Sequence, residues 1–214
     1  MQPMKLWFLR WFLLAAVGRV QGGEDVLKLP PPRTTGGTPL LTALSQRQTT
    51  REFKTNSLDP QCLSDLLWAA FGVNRPATGG RTAPSAMNAQ EIDLYLAAAT
   101  GLFRFDPKAH QLDRVVADDL RPLTSGQEFA RAAPVTLVFV ADLARLPKAR
   151  PEQREFYAGI DTGYISQNVY LFCASAGLGT VVHDLDRAPL AKAARLGPDQ
   201  RIILAQAVGF PAAP

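Results

Sequence analysis

The hydrophobic pattern is densest over residues 160–179. Between 164 and 176 there is no proline, no glycine and no charged side chain. Tyr164, Ile165, Val169, Tyr170, Leu171, Phe172 and Cys173 fall on every side of a helical wheel. A helix that is apolar all round belongs in a core or a subunit interface. The run is too short for a membrane span, which needs about 20 apolar residues. Gln167 and Asn168 interrupt it side by side, and Gly177 supplies the left-handed stop that ends many helices. Gly177-Leu178-Gly179 then leads into Thr180-Val181-Val182, which predicts a short buried strand. Two glycines at a helix-to-strand corner let another group come close to the backbone.

The same periodicities place the other elements. Leu40, Leu41 and Leu44 predict a short helix over residues 39–47. Residues 57–72 carry Asp59 as N-cap, Pro60 in the first turn and Gly72 at the stop, with Leu63, Leu66, Leu67 and Ala70 on the inner face. Strands are predicted over 92–98, 102–105 and 111–115, the last two as a hairpin after Gly101. The β-branched run 135–140 reads as a central strand buried on both faces. A helix over 187–196 and a strand over 201–208 close the chain. Helices and strands are interspersed, so the fold class is α+β.

At the N-terminus, Lys5, the apolar run over residues 11–17 and the small residues near Gly22 predict an export signal over residues 1–23. That places the mature protein outside the cytoplasm; if the segment is not a signal, the protein is cytoplasmic. Residues 24–39, rich in Gly, Pro and Thr, read as a linker to a domain over 40–214.

Composition narrows the classes further. A 214-residue chain with 47% hydrophobic and 20% charged residues is globular. The net charge of +4 comes from scattered Lys and Arg with no basic stripe, which argues against nucleic acid. No stable membrane span is expected. The two cysteines, Cys62 and Cys173, read as buried thiols, although a disulfide between them stays open. No local His/Cys/Asp spacing marks a metal site. Arg47-Gln48-Thr49-Thr50-Arg51 offers two guanidinium forks with hydroxyls between, a pattern suited to a phosphate. His183 reads as a core or rim histidine, Asp184 and Asp186 as solvated turn residues, and Tyr157, Tyr164 and Tyr170 as packing residues, one of which can border a ligand.

The order of motifs is more specific than any one of them. Arg47 to Phe53 comes first. Leu66-Leu67-Trp68-Ala69-Ala70-Phe71-Gly72 and Arg81-Thr82-Ala83-Pro84-Ser85-Ala86-Met87-Asn88-Ala89-Gln90 follow. Asp161-Thr162-Gly163, Gln167-Asn168, Ala176-Gly177-Leu178-Gly179 and Ala207-Val208-Gly209-Phe210-Pro211 complete the series. Over roughly residues 40–211 this resembles the nitroreductase-like flavin family, closest to the short branch with the azoline-forming peptide dehydrogenases.

The resemblance implies an α+β sandwich that forms a homodimer with FMN between subunits. It implies that Arg47, Gln48, Thr49 and Arg51 hold the flavin phosphate and ribityl chain. Pro84, Ser85, Ala86 and Asn88 would line the isoalloxazine ring with Gln90 in support, and Leu178 and Gly179 would offer backbone N–H groups near the ring. Arg81 would face a small-molecule or peptide substrate, or the cofactor. No catalytic triad or dyad is implied, because the flavin carries the redox work. The chain departs from the family in three places. No basic residue follows Arg201, Gln48 stands where a second Arg is usual, and Met87 replaces a small residue.

Three functions follow as expectations. The first is an FMN-dependent oxidoreductase moving hydride between a reductant, NAD(P)H or another, and an organic acceptor. The second is an exported flavin- or ligand-binding protein on the same scaffold without turnover. The third is a structural exported dimer.

Overall fold

A computed structural model describes residues 25–212. The export signal expected over residues 1–23 lies outside the described residues. Nine strands and six helices follow in chain order: β1 (Val26–Lys28), α1 (Leu40–Gln46), α2 (Pro60–Phe71), β2 (Val73–Arg75), β3 (Gly80–Arg81), β4 (Ile92–Ala98), β5 (Gly101–Asp106), β6 (Gln111–Val116), α3 (Arg121–Thr124), α4 (Glu128–Ala132), β7 (Val135–Asp142), α5 (Pro151–Ala176), β8 (Gly179–His183), α6 (Arg187–Ala193) and β9 (Gln200–Gly209). Seven of the strands form one sheet in the order β1-β6-β5-β4-β7-β9-β8, with every neighbouring pair antiparallel. β2 and β3 form a separate two-stranded ribbon.

The alternation of side chains along the strands explains the two layers. Leu94 and Leu96 of β4, with Leu137 and Phe139 of β7, face the layer made by α2 and α5. There they meet Leu66, Leu67, Ala70 and Phe71 of α2 and Ile165, Val169 and Cys173 of α5. The intervening Tyr95, Ala97, Val138 and Val140 face the other way and pack on Leu190 of α6 and on Leu120. β7 is thus buried on both faces, as its β-branched run predicts. At the start of α2, the Asp59 carboxylate accepts the Cys62 N–H at 2.9 Å, as the N-cap reading requires.

One expectation is corrected. The linker reading of residues 24–39 does not hold for the described part. β1 extends the sheet edge on β6, and Leu29 is buried in the core. The stretch has few apolar side chains, and its anchors are polar. The buried Asp65 carboxylate accepts the Arg33 backbone N–H at 2.7 Å, Arg33 Nε at 2.7 Å and Gln61 Nε2 at 2.9 Å. Ser64 Oγ donates to the Pro30 carbonyl at 2.6 Å. Asp65→Ala strands these donors beside a buried surface and is expected to cost about 1–3 kcal/mol. Urea unfolding checks this, with a lowered midpoint at unchanged slope as the expected result.

α5 is buried on one face only within a single chain. Asp161, Thr162 and Ser166 point inward with Ile165 and Val169, while Phe156, Ile160 and Tyr164 are exposed at 66%, 37% and 49%. The apolar wheel therefore divides between a core face and a solvent face, and polar groups lie at the centre of the fold.

Candidate functional site

The corner at the end of α5 is built by its glycines. Gly177 adopts φ 68, and the Gly177 and Leu178 N–H groups both close on the Cys173 carbonyl. The Leu178 amide is thus committed to the helix stop, which corrects the expectation that it is offered outward to a ring. Gly179 permits the next approach. A Cβ there would lie 2.7 Å from Thr50 Cγ2. Because it is absent, the 46–52 loop lies directly on β8, and the Thr50 N–H donates to the Thr180 carbonyl at 3.0 Å. The loop is also stitched to the C-terminal segment, through Lys54 N–H to Phe210 O at 2.8 Å and Ala212 N–H to Glu52 O at 2.9 Å.

A cavity of about 480 Å³ opens between this loop and α5. Gln48, Thr49, Arg51 and Glu52 supply its polar wall, and Ala174, Leu178 and Pro211 supply apolar floor. Tyr170 joins the two sides. Its hydroxyl accepts the Val182 N–H at 3.1 Å and stands 3.4 Å from Thr49 Oγ1, and the Arg47 guanidinium stacks over its ring at 5.3 Å. Arg51 leans toward Phe129, 5.9 Å from that ring. Tyr170 was one of three tyrosines read as packing residues, any one of which could border a ligand. The signal that marks it is its place seven residues before Gly177, two turns back on the same helix face.

Both cysteines are free. Burial pushes the Cys62 thiol up to about 11 and raises Cys173 further, so neither is a thiolate at neutral pH. His183 is buried, which lowers its pKa, and its ring meets Phe129 edge-on, as a core or rim histidine does. Among the described residues no group of three or more His, Cys, Asp or Glu side chains is placed to hold a metal. No helix among them is long and apolar enough to cross a membrane.

The second set of expected residues forms a tight turn between β3 and β4, tied to α5 nearer its N-terminal end. Met87, Asn88 and Gln90 have φ of 55, 53 and 50, three left-handed non-glycine residues within four positions. Ser85 Oγ accepts the Gln90 N–H at 2.9 Å, and the Ala86 N–H donates to Asp161 Oδ2 at 2.7 Å. Pro84 and Asn88 are exposed, while Ser85, Ala86 and Gln90 are half-buried. Gln90 supports the turn as expected, reaching Asn88 Oδ1 at 3.3 Å and the Gly79 carbonyl at 3.1 Å. Arg81 braces it from behind, donating to Gln90 Oε1 at 3.0 Å and to the Phe71 carbonyl at 3.1 Å. Arg81 and Gln90 also line a polar cavity of about 360 Å³ with Arg104, Lys108 and Arg145.

One chain does not bring the two sets into a common cavity among the described residues. Ala86 is tied to Asp161, whereas the first cavity lies against Tyr170 to Gly177. Those positions are 9 to 16 residues farther along α5, roughly 14–24 Å at a rise of 1.5 Å per residue.

Comparison with known proteins agrees with this architecture. A family model described as Nitroreductase family matches residues 44–210. A curated relative from Methanocaldococcus jannaschii, carrying the name nitroreductase, is 30% identical over 148 residues, covering 64% of this chain and 74% of its own. A crystal structure reported as a nitroreductase from Ralstonia eutropha superposes with a TM-score of 0.85 at 45% identity, over 89% of this chain and 91% of that one. A chain of the E. coli microcin synthetase McbBCD complex with truncated pro-MccB17 bound matches with a TM-score of 0.69 at 20% identity, over 95% and 84%, a likeness of fold alone.

Proposed function

The chain belongs to the nitroreductase family, and from that premise we propose that it is an FMN-dependent oxidoreductase acting as a homodimer. It moves hydride between a reductant and an organic acceptor, the reductant being NAD(P)H where the chain stays in the cytoplasm. The observation that carries this reading is the cavity at the α5 corner, with Arg51, Gln48 and Thr49 on its wall and Arg47 beside them on Tyr170.

The donor set fits the group. Guanidinium and hydroxyl donors suit a phosphate, and the Ala174–Leu178–Pro211 floor suits an uncharged aromatic surface. Glu52 on the same wall opposes a phosphate, so Arg47 and Arg51 carry its charge in this reading. When bound, FMN supplies the two-electron chemistry; the chain positions it and excludes water. Arg47 and Arg51 neutralise the phosphate, Gln48 and Thr49 hydrogen-bond the ribityl chain, and Leu178 and Gly179 form the wall at the corner. The turn carrying Pro84, Ser85, Ala86 and Asn88 comes from the second copy and covers the ring.

Exposed apolar surface supports the dimer. Phe156, Ile160 and Tyr164 form one stripe on α5, and Leu40, Leu41 and Leu44 of α1 are 63%, 79% and 46% exposed. Two-fold pairing is the commonest way to cover such a surface. The cavity beside Arg81 is lined by Arg104, Lys108 and Arg145 with Asp93 and Asp106, a net excess of cations that suits an acidic group of a small-molecule or peptide substrate. With the export signal removed, the protein works outside the cytoplasm. There the reductant is a carrier other than NAD(P)H, or the substrate itself gives the hydride.

The purified protein is expected to be yellow, to release FMN on denaturation, and to bleach with a reductant and recover with an acceptor. A colourless protein that takes up no flavin on reconstitution contradicts the reading. A flavin that binds but never turns over leaves a binding protein instead.

A further inference from the structure

The helical layer leaves part of the sheet's inner face uncovered. α2 begins at Pro60, and Leu63 in its first turn is its one residue on the wall of a third cavity, about 530 Å³ in volume. The other walls come from the 55–58 segment, β1, β6, the β4–β5 hairpin and the chain entering β7. Leu58, Leu96, Phe103, Leu112 and Val135 form the floor, and all five belong to the main hydrophobic core. Leu96 lies opposite Phe103 and Ala98 opposite Val135 in the ladders, so the floor is continuous across three strands. Leu27 of β1, 44% exposed, forms part of the outer wall.

This cavity shares no lining residue with the one at the α5 corner or the one beside Arg81. It differs from both in charge. Glu52 lines the first and Asp93 and Asp106 the second, whereas no acid lines the third. Its charged groups are Arg121 and Arg131. Asp119 neutralises Arg121, with Nη2 2.6 Å from Oδ2. Arg131 commits only its Nε, to the Ser125 carbonyl at 3.2 Å. Among the described residues its two terminal nitrogens have no partner. Thr55 and Ser57 add exposed hydroxyls to the lining.

An exposed arginine by itself asks for no ligand. Here it stands on the wall of an apolar hollow whose size falls within the roughly 300–1,000 Å³ of small-molecule sites. Such sites combine apolar walls with a few polar groups that fix orientation. A guanidinium with both terminal nitrogens free matches a carboxylate through two parallel hydrogen bonds.

We propose that this cavity binds an amphipathic monocarboxylate, its alkyl or aryl body against Leu96, Phe103 and Leu112 and its carboxylate on Arg131. One unneutralised guanidinium suits a single negative charge. An amine is repelled by it, and a doubly charged head leaves one charge unmatched beside apolar walls.

Calorimetric titration of the purified protein with decanoate, kept below its micellar range, gives the test, run with and without saturating FMN. One decanoate per chain is expected, bound equally well in both conditions. No binding overturns the proposal, and so does displacement by FMN, which puts the acid at the α5 corner. Arg131→Gln, at an exposed position, should weaken decanoate about tenfold, as the loss of a charge-assisted hydrogen bond does, and leave decanol unchanged. Equal losses for acid and alcohol, or no loss for either, overturn the proposal. Ala98→Phe fills the hollow and should abolish binding of both ligands with an unchanged circular dichroism spectrum. A folded Ala98→Phe protein that still binds decanoate places the acid elsewhere and overturns the proposal. A protein that binds decanoate and no flavin refutes the flavin reading and leaves this site standing.

Discussion

Gly179→Val is expected to abolish FMN binding while leaving the sheet intact. The substituted Cβ would sit 2.7 Å from Thr50 Cγ2 and 2.9 Å from Thr50 Cβ, closer than side chains pack. Gly179 lies in β8 with an ordinary strand partner in Gly209, so valine fits the backbone there. The loop is what must yield. It loses the Thr50 bond to Thr180, and with it the placement of Thr49 and Arg51 around the cavity. An affinity loss of at least a hundredfold, about 3 kcal/mol, is expected in a visible titration with FMN. Circular dichroism should change little. Because the cause is steric, Thr50→Gly in the Gly179→Ala background should restore part of the binding. A Gly179→Val protein that binds FMN normally shows that the loop does not hold the phosphate.

The second large effect is expected on the exposed face of α5. Tyr164→Glu places a charge on the stripe that runs through Phe156 and Ile160. In a monomer this is a mild surface change, since Tyr164 is about half exposed. In a dimer it buries a carboxylate without a partner, which costs several kcal/mol. Light scattering should show a folded monomer at micromolar concentration, and FMN should be lost with the dimer because the 84–90 turn and the 46–52 loop no longer meet. An unchanged dimer places the interface elsewhere, and a monomer that keeps its flavin shows one chain to be sufficient.

Much of the fold was legible because local rules and burial agreed. The run over 135–140, the Asp59–Pro60 start of α2 and the Gly177 stop each have one physical reading, and the structure carries all three. The misreadings arose where polar groups replace apolar ones as anchors. Residues 25–33 look like a linker because their hold on the domain is Asp65 and Ser64, which no periodicity announces. α5 is apolar on its outward face as well as its inner one, and hydropathy alone does not say which face meets the core. Asp161, polar and central, is intelligible only once the Ala86 N–H is seen against it. The residues of the site were visible as motifs, but their separation along α5 was not, since it depends on which end of a 26-residue helix each loop meets.

That separation gives the sharpest test, because it asks whether each site is shared by two chains. One variant carries Arg47→Ala with Arg51→Ala, removing the phosphate side. The other carries Pro84→Trp, filling the ring side from an exposed position. Each alone should form colourless dimers. Unfolded together in equal amounts and refolded, they should recover flavin in about a quarter of the sites, since half the dimers are mixed and each mixed dimer holds one intact site. A mixture that stays colourless while forming mixed dimers contradicts the shared site, and with it the account of how this chain binds its cofactor.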